Sequence, residues 1–232
     1  VSLLESDALV VRTVEFGESD VIATLITEEA GKVGAVVRGA RKGSRRVGGA
    51  LEPVHTISVL LEDKGAELTT LKESRIVRVR SGVVARLDAL DAAGAALRWA
   101  RHLFPPRTPE PAGWAVLVDL LDGLEAASEP PRRALARAGL AMLAAVGYAL
   151  ELEQCAVCGR SCPPGKAACV DPARGGLVCR ACGGASSVLS PADREAARVL
   201  AEGRSNDVSD ESAETVLGLV DRAMAVHAGF ER

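Results

Sequence analysis

The sequence predicts an α+β chain of more than one domain, in which short strands come first, helices follow, and a cysteine-rich module interrupts the helices. Three observations predict it. Through the first eighty or so residues, β-branched and apolar residues come in short runs separated by Gly-bearing turns. From Gly82 onward the apolar period becomes that of a helix. Between Cys155 and Cys182 the pattern Cys-x2-Cys-Gly occurs twice. The 232 residues allow one large domain or two to three small ones, and a hydrophobic fraction of 48% is ample for a core. No apolar run is long enough to cross a membrane. A net charge of −3 excludes a uniformly basic nucleic-acid protein, so charge has to be followed along the chain.

Strand-like runs occupy residues 8–16, 20–27, 32–38, 51–61 and 67–73, and Glu28-Glu-Ala-Gly31 marks a turn between the second and third. Five short strands in this spacing predict a small closed barrel of the OB type over residues 1–81; an SH3-like barrel would give a similar string. Between the third and fourth runs lies Arg38-Gly-Ala-Arg41-Lys42-Gly-Ser-Arg45-Arg46-Val-Gly-Gly49, which has no acidic residue, and Lys32 precedes it. Such runs are commonly no more than solvated loops. Here the sign is unbroken in a net-acidic chain and the run abuts barrel strands. Lys32, Arg38, Arg41, Lys42, Arg45 and Arg46 are therefore candidates for contact with a phosphate backbone. The glycines do not match a phosphate-binding P-loop. Residues 1–80 hold one aromatic, Phe16, so binding is expected to be mostly electrostatic and indifferent to base sequence.

Val83, Val84, Leu87, Leu90, Ala95, Leu97 and Trp99 predict a helix from 82 to Phe104, stopped by Pro105-Pro106. Val116, Leu117, Leu120, Leu121 and Leu124 form an amphipathic stripe. Pro130-Pro131 opens a third helix, apolar nearly all round and expected to be buried. Arg132, Arg133 and Arg137 at its start could extend a phosphate surface but fit a solvated first turn better. Trp99 and Trp114 are expected in the core. Ser190-Pro191 and Ser209-Asp-Glu start two further helices, expected to pack back on the middle ones.

The two cysteine pairs, Cys155/Cys158 and Cys179/Cys182, are separated as C-x2-C-x20-C-x2-C. Each pair offers two thiolates on a tight turn, and Gly159 and Gly183 can adopt the left-handed backbone that aims N–H groups at sulfur. Four sulfurs in tetrahedral array suit one closed, structural Zn2+, a class of site worth about 10–16 kcal/mol of apparent binding energy in isolated fingers. Cys162 and Cys169 belong to neither pair and read as small buried hydrophobes or free thiols, with a substituted ligand or partial second site as the alternative. A disulfide framework would require an oxidising compartment; with no secretory leader legible, reduced thiols in the cytoplasm are expected.

Several stretches together resemble the bacterial RecO recombination mediators: the block 32–46, Leu51-Glu-Pro53, Gly147-Tyr148, both cysteine knuckles, Asp171-Pro-Ala-Arg-Gly-Gly-Leu-Val-Cys179 and Leu189-Ser-Pro191, in that order over most of the chain. The resemblance implies an OB-fold DNA-binding domain at 1–81, a helical domain at 82–151 and 187–232, and a four-cysteine zinc module at 152–186 inserted between helices. It implies a non-enzymatic protein that binds single- and double-stranded DNA, anneals complementary strands, and works with RecR to load RecA on strands coated by single-strand-binding protein (SSB). It also implies no membrane and no small-molecule substrate, and gives the DNA role to Lys32, Arg38, Arg41, Lys42, Arg45 and Arg46.

Two other classes stand beside this reading. The zinc deaminases need H-x-E and P-C-x-x-C, and neither occurs; a four-cysteine site also leaves zinc no open position for water. A zinc-ribbon transcription or assembly factor that grips a protein partner would bind duplex DNA with sequence preference or ignore DNA altogether.

Overall fold

Strand β1 (Ser2–Phe16) decides the architecture of the first part of the chain. It serves two partners. Ser2 to Leu9 pair with β4 (Thr56–Asp63), Ala8 to Phe16 pair with β2 (Asp20–Thr27), and a register shift between Val10 and Arg12 re-aims the strand. With β3 (Gly31–Val37) and β5 (Thr69–Arg78) the strands close into a barrel in the order β1-β2-β3-β5-β4. Ala35 and Val36 meet Thr69 and Thr70 in parallel, and all other pairings in the barrel are antiparallel. This is the five-stranded OB arrangement rather than the SH3-like one. The computed structural model describes residues 1–40, 51–205 and 207–229. The chain divides into two compact units, Val1–Glu125 and Ala126–Arg232.

The barrel core follows from alternation. Val33, Ala35 and Val37 point inward and join Ala8, Val10, Ala23, Leu25, Ile57, Val59, Leu61 and Leu71, while Lys32, Gly34 and Val36 lie on the outer face. Three strand limits differ from the sequence expectation by five residues or more. β1 starts at Ser2 because β4 supplies a hydrogen-bonding partner that overrides the weak propensity of residues 2–7. β4 starts only at Thr56, since Pro53 lacks an N–H and Val54 sits at φ 81°, outside any strand. β5 continues past residue 73 to Arg78 along β4.

The expected single helix from 82 to 104 is two: α1 (Ser81–Val84) and α2 (Leu87–Leu103). The buried face of α2 is Ala89, Ala92, Ala93, Ala96, Leu97, Trp99 and Ala100, whereas Leu87 is 74% exposed and Leu90 also faces out. Side-chain size misled the stripe here; the alanines are the buried set. α3 (Pro111–Ala126) buries Trp114, Leu117, Leu120, Leu121 and Leu124 as expected.

Arg80, fully buried at the end of the barrel, is the joint of this unit. Its Nη1 donates to the Val54 carbonyl at 2.7 Å and to Thr56 Oγ1 at 3.0 Å, and Nε donates to Asp122 Oδ1 of α3 at 2.8 Å. The carboxylate of Glu125, one turn on, accepts from the N–H groups of Gly82 and Val83 at the start of α1. Burial works against the Arg80 charge and the Asp122 carboxylate supports it. The guanidinium also holds the left-handed Val54, a conformation that costs a β-branched residue on the order of 1–3 kcal/mol.

In the second unit α4 (Pro131–Ala145) is the central helix, burying eight residues from Ala134 to Leu143, and α5 (Pro191–Ala201) and α6 (Asp210–Ala228) pack against it. Ser190 and Ser209 cap α5 and α6 by accepting from Asp193 N and Ser212 N. Arg133 pairs with Asp210 at 2.8 Å, Arg132 with Glu214 and Arg137 with Glu129, so the cations at the start of α4 are neutralised by acids of the same unit. Between α4 and α5 a small sheet runs in the order β7-β6-β8, from β6 (Ala168–Asp171), β7 (Gly176–Leu177) and β8 (Ser187–Leu189). Val170, Leu177 and Leu189 seat it on Leu219 of α6.

Replacing Arg80 by Ala leaves the Val54 carbonyl without its side-chain donor and Asp122 with Arg78 as its remaining partner. Denaturant unfolding followed by the fluorescence of Trp99 and Trp114, both in the first unit, is expected to show a loss of about 1–3 kcal/mol, the usual cost of leaving a buried polar group unsatisfied.

Candidate metal centre and nucleic-acid face

The two knuckles form as the sequence suggests. Gly159 (φ 69°) and Gly183 (φ 99°) take the left-handed backbone after each pair, with Gly159 N donating to the Cys155 carbonyl at 2.8 Å and Gly184 N to that of Cys179 at 3.1 Å. The first knuckle hangs on the small sheet through Ala156 N, which donates to Leu177 O at 2.8 Å. The sulfurs of Cys155, Cys158, Cys179 and Cys182 all lie within 4.8 Å of one another.

This donor set fits a tetrahedral ion. Metal–sulfur bonds of about 2.3 Å require sulfurs about 3.8 Å apart, and Cys158 and Cys179 stand at 3.8 Å. All six cysteines are free thiols. The four sulfurs do not ionise independently. The backbone N–H of Cys179, 3.3 Å from the Cys155 sulfur, is the main cause that brings that thiol down to about 6, with burial opposing. Hydrogen bonds shared with Cys158 and Cys179 push Cys182 up to about 12. Four thiolates crowded together repel one another, and a bound divalent cation removes that conflict. With all four positions taken by sulfur, such an ion would organise the fold and would leave no position for a reacting group.

Cys162 and Cys169 stay out of the cluster. Cys162 packs against the apolar group of Val170, Leu177, Leu189 and Leu219, and Cys169 lies on β6, so the small-hydrophobe reading holds for Cys162. Both line a cavity of about 320 Å³ beside Cys155 and Cys179.

Sequence reasoning missed Arg194. This buried residue of α5 turns its guanidinium onto the irregular segment that carries the first knuckle. It donates to the carbonyls of Leu152 (3.0 Å), Pro163 (2.8 Å) and Cys162 (2.6 Å). An Arg in the first turn of a helix runs against the dipole rule, and that mismatch is the one signal that could have marked it.

On the barrel, the candidates Arg41, Lys42, Arg45 and Arg46 lie outside the described residues. Lys32 lies on the outer face of β3, and Arg38 follows directly after the strand ends at Val37. Arg38 is exposed and makes no ion pair among the described residues. Lys32 is partly spent within the fold: its Nζ donates to the Arg101 carbonyl in the last turn of α2 at 2.7 Å. Burial, and next the Arg101 cation, lower its pKa. Of the three histidines, His55 is buried with Nδ1 accepting from Arg80 N at 3.1 Å, and His227 stacks on Tyr148 with ring centroids 4.2 Å apart. Burial, Arg101 and Lys32 lower the pKa of His102. No helix among the described residues is long and apolar enough to cross a membrane.

Comparison with known proteins adds a consistent picture. Residues 1–80 match the family model for the recombination protein O N terminal, and residues 85–232 match that for the recombination protein O C terminal. Relatives named DNA repair protein RecO include one from Anaeromyxobacter sp. (strain Fw109-5), 34% identical over 206 residues, covering 86% of this chain and 80% of the relative. That of Myxococcus xanthus is 34% identical over 228 residues, covering 97% and 92%. That of Geobacter metallireducens is 33% identical over 229 residues, covering 96% and 91%.

Metal analysis of the purified chain is expected to give one ion bound, and none in a Cys155→Ser/Cys158→Ser variant. A Cys162→Ser/Cys169→Ser variant should keep its ion. Arg194→Ala, which leaves three carbonyls without their donor, should lower the midpoint of thermal unfolding and speed release of the ion to a chelator.

Proposed function

The chain belongs to the RecO family of recombination and DNA repair proteins, and on that premise we propose that it is a non-enzymatic mediator acting on DNA. In this reading it binds single- and double-stranded DNA through the barrel domain, residues 1–81, and anneals complementary strands. With RecR it assists loading of RecA on SSB-coated DNA. It works in the cytoplasm and takes no small-molecule substrate.

One observation carries the reading. A closed OB barrel in a net-acidic chain carries Lys32 on the outer side of β3 and the exposed Arg38 directly after it, and the sequence continues into a run of cations with no acid among them. Guanidinium and ammonium groups on glycine-rich backbone can follow a phosphate chain of any sequence. We assign that contact to Lys32, Arg38, Arg41, Lys42, Arg45 and Arg46. We assign the sulfur cluster of Cys155, Cys158, Cys179 and Cys182 to one structural Zn2+ that holds the module 152–186 between the helical segments 82–151 and 187–232. Such a role needs no open coordination position.

Fluorescence anisotropy of an unstructured labelled single strand, titrated from low to physiological salt, tests the proposal. With about six cations engaged, log K should fall with log salt at a slope of about −4, from about 0.7 per phosphate. An Arg41→Glu/Arg45→Glu variant should lose binding and keep the circular dichroism spectrum of the parent. No binding at low salt would remove the mediator role, and unchanged affinity in the variant would remove the loop from it.

A further inference from the structure

Three of the four aromatic side chains of Val1–Glu125 are buried: Trp99 (3% exposed), Phe104 (1%) and Trp114 (8%). The fourth, Phe16, is 52% exposed at the last position of β1, where the β1–β2 hairpin turns. Its place in the register matters more than its exposure. Phe16 is paired with Asp20, and Val21 with Val37, so Arg38, the exposed first residue after β3, follows at the same end of the sheet as Asp20 and Phe16. Gly39 N donates to Asp20 Oδ1 at 2.9 Å, which ties the chain just beyond β3 to this hairpin.

Paired residues share a face of the sheet. Behind Phe16 the same outer face continues with the row Val14, Ile22 and Val36, and then with Arg12, Thr24 and Gly34. Val14 is 42% exposed. The surface is thus an apolar band with the Arg12 cation behind it, and an exposed ring and Arg38 at its front edge. Of the acids of the hairpin, Asp20 stands beside Phe16 within this band with its carboxylate engaged by local donors, while Glu15 and Glu18 lie off it. Glu15 pairs with Val21, whose side chain packs on the barrel core, and the Asp20 carboxylate accepts from Gly39 N and from Ser19 Oγ; Glu18 sits in the turn.

An apolar ring flanked by cations matches the chemistry of an unpaired nucleotide, which has a flat face to stack and a phosphate to neutralise. A duplex has its base faces covered and offers only the phosphates. We infer that Phe16 is the stacking platform for one base of a bound single strand, with Arg38 contacting the phosphate beside it. The inference deepens the DNA-binding reading above and rests on it. It adds to the expectation of mostly electrostatic binding: the phosphates set the salt dependence, and one stacked base adds a contribution that salt does not screen.

The test uses the full chain, labelled oligothymidylate as the single strand, and a blunt duplex of mixed sequence. Phe16→Ala removes an exposed ring, so the fold is expected to stay intact. The variant should bind oligothymidylate about 5- to 150-fold more weakly than the parent, with the salt slope unchanged, and should bind the duplex as the parent does. In a Phe16→Trp variant the new indole should be quenched by oligothymidylate, against a constant background from the buried Trp99 and Trp114. Equal affinity of Phe16→Ala and parent for the single strand, or an indole at position 16 that does not respond, overturns the platform and leaves DNA binding standing. A parent chain that binds no single strand overturns both.

Discussion

Irregular backbone inside a fold must find hydrogen-bond partners that neither strand nor helix supplies, and in both units a buried guanidinium meets that need. A guanidinium carries five donors in a fixed fork, so one side chain can hold several carbonyls that point in different directions. Arg80 does this where β4 begins after the turn at Val54, and the same group reaches Asp122 of α3. Arg194 does it where residues 152–163 loop out to form the first knuckle, with acceptors at Leu152, Cys162 and Pro163. The difference between the two is compensation. Arg80 has a carboxylate beside it, whereas these three acceptors of Arg194 are carbonyl dipoles. Unpaired buried carbonyls would cost about 1–3 kcal/mol each, which makes both sites hard to alter without local unfolding.

What could be read in the sequence follows from how local each signal is. The five strands, both knuckles, the serine caps at Ser190 and Ser209 and the leucine stripe of α3 each depend on a few neighbouring residues, and all of them form. The misreadings are places where a distant partner decides. Residues 2–7 become strand because β4 lies alongside, and α2 turns its alanines rather than Leu87 and Leu90 inward. Arg80 and Arg194 went unnoticed in the sequence, since nothing near them announces a buried set of acceptors 24 to 42 residues away. The four-cysteine cluster was legible in full because its members come as two local turns. On the barrel face only charge was legible; that Phe16 pairs with Asp20, at the end of the sheet where β3 gives way to Arg38, is a property of register.

Ion pairing is uneven along the chain in a way that total composition hides. In the second unit Arg132, Arg133 and Arg137 face Glu214, Asp210 and Glu129, and Arg198 is held by Glu195 and Glu202. These cations are occupied. In the first, Arg107 pairs with Asp63, yet the front of the barrel keeps Arg38 free of such a partner among the described residues. A polyanion responds to the field within about 10 Å at ordinary salt, the distance over which exposed charges are screened. Net charge of −3 over the molecule is therefore no obstacle to binding phosphate at one face.

The same distance argument bears on the knuckles. Four thiolates around one divalent ion retain about two negative charges, which disfavours phosphate nearby. The cations beside them answer to that charge. Arg160 and Arg180 line the cavity next to Cys155 and Cys179, and Arg174 donates to the Cys182 carbonyl at 3.1 Å. Arginines around such a centre are compensation for sulfur and need not mark a nucleic-acid surface. The barrel face differs on this point, because its cations stand beside an exposed ring and have no buried anion to offset. On the proposed reading, a metal centre in the second unit and a cationic barrel face for DNA are separate devices, and losing the ion should disturb the fold of the module before it disturbs the affinity of the barrel for a strand.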